Sequence, residues 1–374
     1  MLPGAPAHEE HGELRASTAS TRLSGAGALV GQCAGGETWR SGSGVAPSGW
    51  LVSPRVDAGM IGGALLVALS LGTVANLREG WFTLVLTLDI WLLAYPHVGA
   101  MWLHIGLGRG RRFWPLWTLL PPLVLLGTAG VYFAGGAMAL NSLYYHWQSF
   151  HYTRQSYGIS RSYARSAGRV GTDIPADALV FLVPLWGWLF RCSQQNRNFF
   201  GAPLWSPEVP EPLVAAVGLC ATAVFLGWLW RTQWDGQAWF LLSHVLVTVV
   251  SYVWVEEITR GWIFVNLWHN AQYLLFVWAR NREGGLVPAL TRSLWPFLLA
   301  CVLGAGGGYG LLEATLELAL LVPAGALLVI HQSINLHHYI VDAVIWRGGR
   351  TAGPSPGYAH GARGAGGEAV GVAG

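Results

Sequence analysis

What most constrains this chain is a succession of apolar stretches, each about the length of a membrane-crossing helix, running from near residue 57 to residue 347. A helix needs roughly 20 mostly apolar residues to cross the ~30 Å hydrocarbon core of a bilayer. Ten segments meet that demand, at 57–77, 81–106, 113–135, 137–154, 174–192, 212–231, 236–255, 261–280, 292–312 and 316–347. With 53% hydrophobic and 11% charged residues, the chain has too few charges to keep so much apolar surface in water. The reading is an all-α, polytopic membrane helix bundle of about ten spans.

Arginine placement sets the expected orientation. If the first span runs outward, the inner connections carry Arg109, Arg111 and Arg112, then Arg154, Arg161, Arg165 and Arg169, then Arg231, then Arg280, Arg282 and Arg292, with Arg347 and Arg350 at the end. The outer connections carry only Arg78, Arg191, Arg197 and Arg260. The positive-inside rule then puts both termini in the cytoplasm. Trp81, Trp114, Trp117, Trp205, Trp262, Trp278 and Trp346 fall near span ends, as an interfacial belt requires. The absence of lysine and the 50 glycines suggest a GC-rich genome, and a bacterial inner membrane is the expected location.

Residues 1–50 lack apolar periodicity and read as a disordered segment, 51–350 as the transmembrane domain, and 351–374 as a flexible tail. Translation from near Met60 is a further expectation; N-terminal sequencing that returns Leu2 or Pro3 excludes it. A net charge of +3 offers no case for nucleic acid as a partner. The cysteines Cys33, Cys192, Cys220 and Cys301 form no CxxC pair, so neither a disulfide framework nor a thiolate metal site is indicated. The loop from Ser193 to Pro212, with four prolines, is placed to cap the outer end of the bundle.

Nine histidines lie in the apolar segments: His97 and His104, His146 and His151, His244, His269, and His331, His337 and His338. The expected topology puts all of them at the midplane or in the cytoplasmic half, which points to one shared site. Ionisable groups inside a membrane are costly and mark function by default. Neutral imidazole is the protein ligand best suited to binding a transition metal in a low-dielectric interior. The candidate ligands are therefore His97, His104, His146, His151, His269, His331, His337 and His338. His244, with only Ser243 as a polar neighbour, reads more readily as a hydrogen-bonded core residue. Gln148, Gln155, Asn270, Gln272, Asn335 and Asp342 are candidates for orienting the rings.

Spacing limits how these histidines combine. His331, Asn335, His338 and Asp342 fall within roughly 60° of one another on a helix, a polar stripe that should avoid lipid. His97 and His104, like His331 and His338, share a face but stand roughly 10 Å apart along the axis, so one ion cannot take both members of a pair. Two ions stacked along the membrane normal suit that spacing, with one ion and an outer set of histidines as the alternative. His146 and His151 are about 140° apart on a regular helix, and joint ligation there needs a π turn or a helix end. Asp342, four residues after His338, is suitably placed to orient it.

The HxxxxH of His146 to His151, and the pair His337-His338 preceded by His331, resemble the histidine boxes of integral-membrane non-haem iron enzymes of the fatty acid desaturase and hydroxylase class. The layout of histidines on separate spans is also similar, more loosely, to the Brp/Blh carotene dioxygenases. The spacing departs from the desaturase pattern: five residues separate His331 from His337, where that class has two or three. The resemblance implies iron as cofactor, with two ions expected and one ion or another transition metal as alternatives. It implies oxygen-dependent desaturation, hydroxylation or oxidative cleavage of a membrane lipid or isoprenoid. It further implies electrons from a cytoplasmic ferredoxin or cytochrome, for which the segment from Arg154 to Arg169 is a docking candidate beside its topological role. A metal or proton transporter and a haem-binding electron-transfer protein are the competing classes; the first favours interrupted helices, and the second leaves most of the histidines unused.

Overall fold

A computed structural model describes residues 48–106, 114–169, 171–282, 288–318 and 324–345. The disordered start expected over 1–50 lies outside this set up to residue 47, while Gly49 is bonded to Ser166 and Gly236; the flexible tail expected over 351–374 lies outside it, as do Arg109, Arg111 and Arg112. The described chain is all-α apart from one two-residue hairpin.

The first helix and, further along the chain, those beginning at Ile174, Gly236 and Ile258 start where the sequence supplies a side-chain cap. Ser53 accepts the Val56 N–H at the head of α1 (Pro54–Leu77), with proline in the first turn, where its missing N–H costs nothing. Residues before Met60 belong to this fold: Asp57 accepts the backbone N–H groups of Val52 and Ser53 at 2.9 Å and the Tyr163 hydroxyl at 3.2 Å. Next come α2 (Glu79–Asp89), a π turn (Ile90–Ala94) and α3 (Tyr95–Gly106), which run as one rod. The π turn precedes Pro96, which has no N–H and whose ring would crowd the carbonyl four residues back; an i→i+5 pattern relieves that crowding.

After the short α4 (Trp114–Thr118) comes α5 (Leu120–Ser166), which is broken at Gly136, where φ is 68° and ψ −163°. Val124 and Tyr144 would be about 30 Å apart on a straight helix. They pack instead in one cluster with Leu336 and Tyr339, so the chain reverses at Gly136 and α5 is a hairpin of two arms. The expected break between residues 135 and 137 is this reversal. The remaining helices are α6 (Ile174–Ser193), α7 (Glu211–Arg231), α8 (Gly236–Val249) extended by a π turn (Val250–Trp254), α9 (Ile258–Asn281), α10 (Pro288–Thr291), α11 (Leu294–Cys301) joined through a π turn (Val302–Gly306) to α12 (Gly307–Leu318), and α13 (Ala324–Ile345).

By length and composition, six helical stretches among the described residues are apolar enough to cross a membrane, the α5 hairpin counting as one of them. Leucine, tryptophan and phenylalanine side chains exposed on α1, α2, α5 and α7, among them Leu66, Leu126, Phe133, Leu219 and Trp230, suit a lipid surround.

The centre of the bundle is α9, buried almost continuously from Gly261 to Trp278. A helix hydrophobic on one side only would sit at the edge; α9 is apolar on most of its surface, with Asn266 and Asn270 hydrogen-bonded, and sits inside. α1, α3 and the π turn of α8 pack on it, and α13 packs along α5. The loop between α6 and α7 folds into β1 (Asn198–Phe199) and β2 (Ala202–Pro203), with Phe200 and Gly201 at positive φ in the turn between them. It inserts the fully buried Phe199 against Tyr144, Tyr145 and Trp262, and Asn141 donates to the carbonyls of Ala202 and Pro203, closing that end of the bundle.

The reversal yields a test. A side chain at Gly136 must adopt a conformation open only to glycine, so Gly136→Ala should destabilise the protein by about 1–3 kcal/mol. Gly130→Ala, in the same hairpin with nothing within 4 Å of the new Cβ, should be neutral or slightly stabilising. Thermal unfolding in detergent distinguishes the two.

Candidate metal centre

Four histidines from four helices converge inside the bundle. His97 is carried by α3, His151 by the second arm of α5, His269 by α9 and His338 by α13, and all four are buried. Ring centroids stand 4.7 Å apart for His97 and His338, 4.8 Å for His97 and His269, 5.0 Å for His151 and His269, and 5.1 Å for His151 and His338. Each of His97, His151 and His338 offers a ring nitrogen such that all three nitrogens lie within 4.8 Å of one another.

The donor set fits a transition-metal ion. Nε2 of His97 and Nε2 of His338 are 2.8 Å apart. Two ligands at right angles, each about 2.0–2.1 Å from one ion, stand about 2.9 Å apart, and opposed ligands about 4.1 Å. Nδ1 of His338 lies 3.2 Å from Sδ of Met101, a weak acceptor that takes the ring proton and leaves Nε2 as the lone-pair donor. Nε2 of His151 is buried without a hydrogen-bond partner, an expensive state for a polar atom unless something binds there.

Tyrosines wall the cluster. Tyr273 lies 4.2 Å from His97, Tyr152 lies 4.2 Å from His269, and Tyr339 stacks on His151 at 4.2 Å with 21° between the planes. They fix the ring planes and keep lipid tails off the nitrogens. Gln155 sets the tautomer of His269: its Nε2 stands 3.2 Å from Nδ1 while its Oε1 is buried without a partner. As placed, the amide donates to Nδ1, and the ring proton sits on Nε2. Turning the amide over lets Oε1 accept an Nδ1–H and frees Nε2 to bind an ion.

Of the other histidines expected to take part whose side chains are described, the structure brings none to this cluster. His146 is half-buried between the Trp188 indole, which donates to its Nδ1 at 2.9 Å, and the Trp205 carbonyl, 3.0 Å from its Nε2. The helix is regular here, and the ~140° between His146 and His151 sends the two rings to different neighbours. His337 is bonded through Nε2 to the Leu116 carbonyl at 2.9 Å, and His244 through Nε2 to the Val180 carbonyl at 3.3 Å. His331 is exposed on α13 and Asn335 only half-buried, bonded to the His331 carbonyl, so the expected stripe splits: His338 and Asp342 face inward and His331 outward. The backbone of His104 lies in α3, and its side chain is outside the described residues.

Asp342 does not orient His338, as its position four residues later suggested; its Oδ1 accepts the Tyr273 hydroxyl at 2.7 Å. Gln148 accepts from the Trp262 indole at 2.8 Å, one helical turn from His151, and Gln272 is buried with Oε1 unpartnered. Asn270, beside His269, donates to Asp89 at 3.2 Å. Asp89, Asn266 and the three tyrosines escaped the reading from sequence. A carboxylate inside the apolar segment 81–106 was the available signal for Asp89, by the same cost argument that singled out Asp342. Nothing in the pattern distinguishes the tyrosines from packing residues.

Because His146 ties the α6–α7 loop to α5, His146→Ala should loosen that loop and speed tryptic cleavage at Arg197 severalfold, while His331→Ala leaves the cleavage rate unchanged. Limited proteolysis followed by mass spectrometry measures this. No protein-family model, curated protein or solved structure matches this chain, and its chemistry therefore rests on the side chains themselves.

Proposed function

We propose that this chain is an integral-membrane, histidine-ligated metalloenzyme that uses dioxygen to act on a lipid-soluble substrate. The observation that carries the reading is the gathering of three buried ring nitrogens within 4.8 Å, with His269 alongside, in a membrane-spanning bundle. His97, His151, His269 and His338 are the ligands. Their convergence on one place favours one ion over the two that the i,i+7 spacing suggested. Iron is the metal of choice: neutral imidazoles suit it, no thiolate competes, and reduced iron so held supplies dioxygen activation.

The chain's own residues then divide the work. The imidazoles hold the ion without adding charge, Gln155 sets the proton position on His269, and Tyr152, Tyr273 and Tyr339 shut out bulk water. The site lies in the cytoplasmic half of a ten-span bundle with both termini inside, the arrangement that the arginine distribution supports. The substrate, a membrane lipid or isoprenoid, enters from the bilayer and undergoes desaturation, hydroxylation or oxidative cleavage. Electrons come from a cytoplasmic carrier. Arg154 to Arg169 is a poor docking face for it, since Arg169 pairs with Asp235 at 2.6 Å and Arg161 with Asp177 at 3.8 Å.

The haem reading fits less well. A porphyrin held between two axial histidines needs their nitrogens about 4 Å apart with a flat gap between. Here the His97 and His338 nitrogens are 2.8 Å apart and tyrosine rings fill the adjoining space.

Metal analysis and absorption spectroscopy of detergent-purified protein test the proposal. About one transition-metal ion per chain and no Soret band are expected. His97→Ala, His151→Ala and His338→Ala should each lose most of the metal, whereas His146→Ala and His331→Ala retain it. A strong Soret band would replace this reading with the haem one, and a metal-free protein whose activity survives all three substitutions would end it.

A further inference from the structure

Asp89 is buried at the end of α2, and its carboxylate meets no cation among the described residues. Its partners are two neutral amides of α9: Asn270 donates to Oδ1 at 3.2 Å and Asn266 donates to Oδ2. A carboxylate in such a place is costly, because two amide hydrogen bonds replace only part of the hydration it loses. Apolar packing gives no reason to keep it there.

Its position is linked to the histidine centre along two helices. Eight residues separate Asp89 from His97, which on a regular helix puts them about 80° apart. The π turn at Ile90–Ala94 absorbs one residue, so the effective separation is seven and both side chains share one face. That face meets the stripe of α9 formed by Asn266, His269, Asn270 and Tyr273. Asp89 grips the asparagines, and His97 lies against His269 and Tyr273. Asn266 also accepts the Tyr152 hydroxyl at 2.5 Å, and the Tyr152 ring covers His269.

Taking the four-histidine centre as proposed above, we infer that Asp89 is its charge-balancing and positioning residue. Four neutral imidazoles leave a divalent cation's charge uncompensated in a low-dielectric interior, and Asp89 supplies a negative charge roughly 10 Å away, too far to ligate and close enough to attract. Through Asn266 and Asn270 it also holds α9 in the rotation that presents His269. The ligand class this assigns to the site is a divalent metal cation, preferred over a monovalent one.

The test uses the full chain in detergent, freed of metal by chelation and titrated with Co²⁺ or, anaerobically, with Cu⁺. Asp89→Asn keeps the shape and removes the charge; it should weaken Co²⁺ binding about tenfold and Cu⁺ binding only about threefold, because the attraction scales with ionic charge. The ligand-field spectrum of bound Co²⁺ should be unchanged, since the ligands are the same. Asp89→Asn combined with Asn270→Asp moves the carboxylate across the same hydrogen bond and should restore Co²⁺ affinity, which keeps the test decisive if the single variant folds poorly. A folded Asp89→Asn protein that binds Co²⁺ as the native chain does, equal losses for both ions, or a folded double variant that stays weak would each overturn the inference. If the native chain binds neither ion, the metal-centre reading falls instead, and the two failures are told apart by that control.

Discussion

Everything in this bundle depends on the need to satisfy polar groups along the buried middle of α9. α9 carries Asn266, His269, Asn270 and Tyr273 through the middle of the protein, where an unmet hydrogen bond costs about 1–3 kcal/mol. Its neighbours are placed to meet that need. α2 supplies Asp89 to the asparagines, the second arm of α5 supplies Tyr152 and Gln155, and α13 supplies Asp342 to the Tyr273 hydroxyl. The same contacts that tie these helices together bring one histidine from each of four helices to a single point.

Irregular backbone is used where regular helix would miss that point. The π turn before Pro96 rotates His97 onto the face that already carries Asp89. The glycine at 136 folds α5 back on itself, so that its first arm packs α13 through Val124 and Thr128 while its second delivers His151. At the meeting of α12 with the π turn, Gly310 leaves room for the Trp91 ring, which any Cβ there would overlap.

Helix positions were legible in the sequence because lipid leaves few choices: a segment of about twenty apolar residues must be helical, and Gly135-Gly136 marks a break within a continuous apolar run. The idea of a histidine centre was legible for the same reason, since buried imidazoles need a purpose. The ~140° between His146 and His151, and the ~10 Å between His331 and His338, argued against either pair holding one ion on a regular helix, and in each only one member reaches the cluster. Which member goes inward was not legible. His146 finds complete hydrogen bonding in Trp188 and the Trp205 carbonyl, partners 42 and 59 residues away, and neither is visible in local spacing.

By itself, then, the sequence determined an all-helical membrane protein with more buried histidine than packing requires, because hydropathy and the cost of burying polar groups are properties of residues and their near neighbours. Only the tertiary structure selected His97, His151, His269 and His338 from the eight whose side chains are described, turned Asp342 toward Tyr273, and revealed Asp89. Those outcomes depend on helix rotation, which a single π turn shifts by about 100°, and on contacts between residues 69 to 241 positions apart.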